Sequence, residues 1–160
     1  ELYLRRGETY QRFNDMDKAT PDYKRVLELD TIPEDGSCRQ YALFFLGDTI
    51  GAIDWMKQII DTQPDDEGHY YDMACLYARM GKLHESVEAL TKAFEWGYRR
   101  IAHVKIDDDL DSIRELPEYK ALIEKYEAES STQKIEELLK QERSKMSDKD
   151  KLDLLREFNY

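Results

Sequence analysis

Gly81 to Gly97 reads GKLHESVEALTKAFEWG, and two earlier stretches follow the same plan. Gly47 to Pro64 reads GDTIGAIDWMKQIIDTQP, and Met16 to Asp30 reads MDKATPDYKRVLELD. Aligned on the small residue in the middle of each, Ala19, Ala52 and Ser86 stand 33 and 34 residues apart. An aromatic-rich helical stretch precedes each segment. A helix–turn–helix unit recurring at this period marks a repeat array, in which each unit buries its apolar face only by stacking on its neighbour. The expected fold class is all-α.

Position by position, the pattern resembles the tetratricopeptide repeat (TPR) family. In the third unit Tyr70, Met73, Ala74 and Tyr77 stand at the first-helix positions, Gly81 at the turn, and Ser86, Leu90 and Ala93 in the second helix. In the first unit Tyr3, Arg6, Gly7, Tyr10, Ala19, Tyr23 and Val26 take the same places. Asn14 replaces the turn glycine and, like glycine, tolerates positive φ. The second unit matches at Gly47, Ala52, Met56, Ile59 and Pro64. It departs at Gly36, where a large residue belongs, and at Gln40, where a small one does, so its first helix is expected to be short and to start near Ser37. The resemblance implies a right-handed α-α superhelix of three units, about residues 1–32, 33–66 and 67–98. Gly7, Ala19, Ala52 and Ala74 would let paired helices approach closely, with Tyr10, Tyr23, Tyr77 and Leu90 filling the space between units.

Composition agrees with exposed, stacked helices. Charged residues make up 37% of the 160, and the net charge is −11. Of that, −9 falls on residues 1–126, since the nine acidic and seven basic residues beyond them nearly cancel. So acidic an array is expected to avoid nucleic acid and anionic membrane. No apolar run approaches the roughly 18 residues of a membrane span, and no secretory signal is evident. The chain opens inside the first helix of a repeat, as a fragment of a longer protein would. The compartment is therefore left open between cytoplasm and periplasm, with cytoplasm preferred.

The reactive residue types form no catalytic pattern, and no enzyme, cofactor or metal is expected. Cys38 and Cys75 fall in the first helices of adjacent repeats and read as small apolar residues, with a reactive thiol at Cys75 as the alternative. His69, His84 and His103 lack ligand spacing. Asp107, Asp109, Asp111 and Glu118 imitate the carboxylate spacing of a calcium loop. However, Ser112 stands where the loop turns on glycine, Arg114 replaces an apolar residue and Pro117 interrupts the last turn. Asp111 or Ser112 instead reads as the cap of a short helix with Glu115 completing a capping box, and Pro117 as the start of the next helix.

Residues 96–126, WGYRRIAHVKIDDDLDSIRELPEYKALIEKY, resemble a segment that terminates bacterial tetratricopeptide arrays. This implies a Gly97-Tyr98 turn, an aspartate-rich loop over 107–111, a short helix over 110–116 and a closing helix over 117–126. Tyr119, Leu122, Ile123 and Tyr126 recur at helical spacing and would cover the end of the array. Residues 99–126 are thus read as a cap and 127–160 as a charged helical tail. In the tail a polar break over 128–133 is expected, followed by helices over 134–146 and 149–158. The first has a stripe of Ile135, Leu138, Leu139 and Met146. The second, capped by Ser147 or Asp148, has Leu152, Leu154, Leu155 and Phe158. Three readings stand for the tail: a linker, a segment packed back on the array, and an element of homo-oligomerisation.

The family resemblance implies a scaffold that binds a peptide or partner segment on its concave face. The matching inner positions are Leu4, Glu8, Gln11 and Arg12, then Ser37, Tyr41, Phe44 and Phe45, then Tyr71, Cys75, Ala78 and Arg79. The expected partner-binding set is Arg12, Tyr41, Phe44, Phe45, Tyr71, Cys75 and Arg79. Its aromatics and two arginines would suit a ligand with apolar anchors and a carboxylate. Core packing of Phe44 and Phe45 is the competing reading. The chaperone-tail clamp of the family is absent, because its positions hold Leu4, Glu8, Cys38, Gly68 and Asp72. Other readings are an interaction arm of a larger protein with catalysis elsewhere, and a tail-driven homo-oligomer.

Overall fold

A computed structural model describes residues 1–33, 37–145 and 147 of the chain. Gly36, Met146, Asp148 and the anticipated helix over 149–158, with Leu152, Leu154, Leu155 and Phe158, lie outside the described residues. The chain forms two compact units, Glu1–Lys120 and Ala121–Tyr160. The described residues contain helices and no strand.

The first unit is an α-α solenoid. Three helix–turn–helix pairs follow one another: α1 Leu2–Arg12 with α2 Met16–Leu29, α3 Arg39–Phe45 with α4 Thr49–Thr62, and α5 Glu67–Arg79 with α6 Leu83–Trp96. Each pair turns on one residue with positive φ: Asn14 at 59°, Gly47 at 90° and Gly81 at 71°. A left-handed residue ends the first helix and reverses the chain here, and asparagine and glycine adopt that backbone at the lowest cost. The next residue opens the second helix. Asp15 caps α2 by accepting from the Lys18 amide, and Asp48 caps α4 by accepting from the Gly51 amide.

The small positions act as expected. Ala19, Ala52, Ala74, Ser86 and Ala93 are fully buried. The Ser86 hydroxyl donates to the Ala74 carbonyl at 2.8 Å, which satisfies this buried polar group between α5 and α6. A Cβ on Gly7 would lie 2.6 Å from the Tyr23 ring, so the α1–α2 contact depends on its absence. Arg6 adds a two-pronged bond to buried Asp22, at 2.7 and 2.6 Å.

The second repeat shows how its weak first helix is held. α3 starts at Arg39, two residues later than expected, with Cys38 as its N-cap residue rather than in the helix. The Cys38 side chain does not cap, and Asp30, at the end of α2, supplies the carboxylate. Its Oδ2 accepts from the amides of Cys38 and Arg39 at 2.6 and 2.9 Å, and the Ser37 hydroxyl donates to it as well. Arg39 reaches back to the α2 terminus, donating to the carbonyls of Leu27 and Asp30 at 2.6 and 2.9 Å. The two helices thus cap one another with opposite charges at the matching dipole ends. The indole of Trp55 lies 4.9 Å from the Arg39 guanidinium and donates to Ser37 at 2.7 Å. Gln40, at the small position, is buried and donates to the Ser37 carbonyl.

After α6 the chain turns at Gly97 and forms α7 Ile101–Val104 and a 3₁₀ helix, Asp108–Ile113. The cap lies earlier than expected. The Asp107 carboxylate accepts from the Asp109 amide at 3.0 Å, while Ser112 instead donates to the Ala78 carbonyl and Glu115 pairs with Lys120. Leu110 and Ile113 are fully buried, and this segment packs on α5 and α6. Helix α8, Pro117–Lys145, begins at the expected proline. Tyr119 is buried and donates to the Val104 carbonyl at 3.2 Å.

Within the second unit α8 continues without a break over 128–133. The sequence there is polar but contains no glycine or proline. Ser131 and Thr132 return their hydroxyls to the carbonyls of Glu127 and Ala128, so the helix tolerates them. Leu122, Ile123 and Tyr126 are buried, whereas Ile135, Leu138 and Leu139 are 57%, 53% and 55% exposed.

Candidate partner-binding groove

The inner helices α1, α3 and α5 bring five residues around one open pocket of about 330 Å³: Glu8, Gln11, Arg12, Phe45 and Arg79. Its floor is layered. Tyr23, fully buried, stacks on Phe45 with ring centres 4.9 Å apart, and the Arg79 guanidinium lies 5.3 Å from the other partner in the layer, the Phe45 ring. Arg79 is also 5.7 Å from the Tyr41 ring. Phe44 leans on Phe45 at 5.3 Å and does not line the pocket. Phe45 both packs against the core of the first repeat and lines the pocket. The Tyr23 hydroxyl donates to Gln11 Oε1 at 2.6 Å, which leaves the Gln11 amide NH₂ to serve as a donor.

Charge in the pocket is unevenly committed. Arg79 binds Asp109 Oδ1 at 2.5 Å and Glu8 Oε1 at 3.4 Å. Burial opposes its charge, but the Asp109 hydrogen bond and the carboxylates of Asp109 and Glu8 outweigh that effect, and its pKa is raised. Arg12 is exposed and has no ion pair among the described residues. The expected arginine pair therefore divides into one internally neutralised guanidinium and one open to solvent.

Two expected site residues on α5 do not line the pocket. Tyr71 and Cys75 are buried at 6% and 2% exposure. The aspartate-rich segment packs on the inner face of α5 and covers them. Tyr71 donates to Asp107 Oδ2 at 2.5 Å and stacks on Tyr98 at 4.5 Å, and His103 lies 3.4 Å from the same carboxylate oxygen. Burial, with Cys75 and Asp107 beside it, pushes the Tyr71 pKa up; burial likewise raises that of the Cys75 thiol. Ala78 and Leu4, two other inner positions, are buried, and Ser37 is engaged with Asp30 and Trp55. Tyr41 is half-buried beneath Arg79, and burial raises its pKa far above the ordinary value.

Sequence reasoning missed the role of Asp107 and Asp109. Their alternation was visible, but as a calcium-loop imitation. In the structure the two side chains diverge, Asp107 toward Tyr71 and His103, Asp109 toward Arg79, while Asp111 pairs with Arg114 at 2.7 Å. Among the described residues no cluster of three or more His, Cys, Asp or Glu could hold a metal ion. Neither cysteine forms a disulfide. No helix among those residues is long and apolar enough to cross a membrane.

The family model for the tetratricopeptide repeat matches residues 1–32 and 70–96. The unmatched interval between them contains the repeat whose first helix is short. No curated protein matches the chain.

Proposed function

Since this chain is a tetratricopeptide repeat protein, a family whose repeats generally mediate protein–protein interaction, we propose that it is a non-enzymatic scaffold that holds a partner segment in the groove between α1, α3 and α5. The observation that carries this reading is the pocket lined by Glu8, Gln11, Arg12, Phe45 and Arg79, where an aromatic face, a free amide and an open guanidinium converge. We read residues 1–98 as the array, 99–126 as its cap and 127–160 as a tail. The groove that remains for a partner is formed by the first two repeats with Arg79 as its far wall.

Arg12 gives the cleanest test, because its side chain is exposed and removing it leaves the packing intact. The 160-residue chain immobilised as bait, compared with its Arg12→Glu counterpart, should differ in the partner captured, with the helical circular dichroism spectrum and melting temperature unchanged. Equal capture by both proteins would exclude the pocket.

A second reading has its own support. Ile135, Leu138 and Leu139 form an exposed apolar stripe on α8, and stripes of this kind are commonly contact surfaces. We propose self-association through residues 127–160 as the alternative role of the tail.

A further inference from the structure

We infer that Asp109 is a specificity-determining residue of the groove: it occupies Arg79 as a ligand's carboxylate would, and so restricts the groove to partners that offer a single carboxylate beside an apolar group. The inference rests on the groove reading above.

Three observations lead to it. Arg79 lines the pocket, yet it is held on both sides, by Asp109 at 2.5 Å and Glu8 at 3.4 Å, and is confined over the rings of Tyr41 and Phe45. Its charge is therefore matched before any ligand arrives. Arg12 lines the same pocket, exposed and without an ion pair among the described residues, with the Gln11 amide beside it. Finally, Asp109 stands on a segment anchored by fully buried Leu110 and Ile113, so it is a fixed part of the wall and not a passing contact. An arriving carboxylate finds open donors at Arg12 and Gln11, while an apolar side chain finds the face of Phe45. A second carboxylate directed at Arg79 would meet Glu8 and Asp109, two like charges at close range, and would be repelled.

The probes are 3-phenylpropionate, with one ring and one carboxylate, and phenylsuccinate, with one ring and two. They are titrated into the full chain while the side-chain N–H signals of Gln11, Arg12 and Arg79 are followed by nitrogen-edited NMR. In the native protein both should shift Gln11 and Arg12, and phenylsuccinate should bind no tighter than phenylpropionate. With Asp109→Asn, Arg79 becomes available, and phenylsuccinate should gain about tenfold over phenylpropionate, the scale of one charge-assisted hydrogen bond. Glu8→Gln, which leaves the cap untouched, should move the ratio the same way and keeps the test decisive if Asp109→Asn disturbs folding. An unchanged ratio in both variants, with Gln11 and Arg12 still responding, would overturn the role of Asp109 and leave the groove standing. No response at Gln11 or Arg12 to either probe would overturn both.

Discussion

Gly7 and Asp22 lie on facing helices of the first repeat and show two ways in which a residue fixes a helix pair. Gly7 acts through what it lacks, since a methyl group there would lie 2.6 Å from the Tyr23 ring. That ring is fully buried and bonded to Gln11, so it has little freedom to move aside. Gly7→Ala is expected to destabilise the protein by about 1–3 kcal/mol despite the better helix propensity of alanine, as thermal or urea denaturation would measure. Asp22 acts through charge. The hydrogen bond and charge of Arg6 hold its carboxyl below the ordinary value of 3.8, against the cost of burial. A depressed native pKa means that the unfolded chain binds more protons in the interval between the two values. The pair's contribution is thus present above 3.8 and lost as pH falls through the lower native value. Denaturation followed from neutral to acid pH should show a shallower acid loss in Asp22→Asn than in the native protein. The exposed Arg6 keeps the effect modest.

Among the elements, α3 is the one that its own sequence least explains. It has seven residues, and its N-cap residue Cys38 makes no side-chain cap bond. Asp30→Ala removes the external cap and should cost about 1 kcal/mol, with the amides of Cys38 and Arg39 exchanging hydrogen faster than those of α5. The elements divide by the range of the force that makes them. The turns were legible at Asn14, Gly47 and Gly81 because a left-handed backbone is a one-residue requirement. The helix pairs were legible from Ala19, Ala52 and Ser86 because close approach needs a small residue at a fixed period. The capping of α3 was not legible, since Asp30 acts eight residues away from the end of the preceding helix. The continuity of α8 over 128–133 was misread because polar residues were taken for a break where only their backbone compatibility mattered. Burial of Tyr71 and Cys75 depends on a segment more than thirty residues downstream folding onto α5, as the Tyr71–Asp107 bond shows, and no local pattern announces it. Of the residues that line the pocket, Arg12, Phe45 and Arg79 stand in the set expected from the sequence, whereas the carboxylate of Asp109 that distinguishes the two arginines does not.

For the molecule as a whole, the tail question is settled by mass. Light scattering on a size-exclusion column should show the full chain larger than monomeric, and a version ending at Glu127 monomeric, if residues 127–160 drive association. Equal masses would exclude that role. Arg79 bears on a different property of the whole. In a simple stack of repeats each unit touches only its neighbours, and the ends can fray independently. Here one guanidinium joins Glu8 near one end of the first compact unit to Asp109 near the other, over the aromatic rings of the middle repeat. Loss of order in the first repeat therefore removes a contact from the third, and loss of the aspartate-rich segment removes the second carboxylate from the same guanidinium. Arg79 thus ties the first repeat to the third beyond the contacts between neighbours, and melting should be a single cooperative event, with no succession of repeat-by-repeat steps.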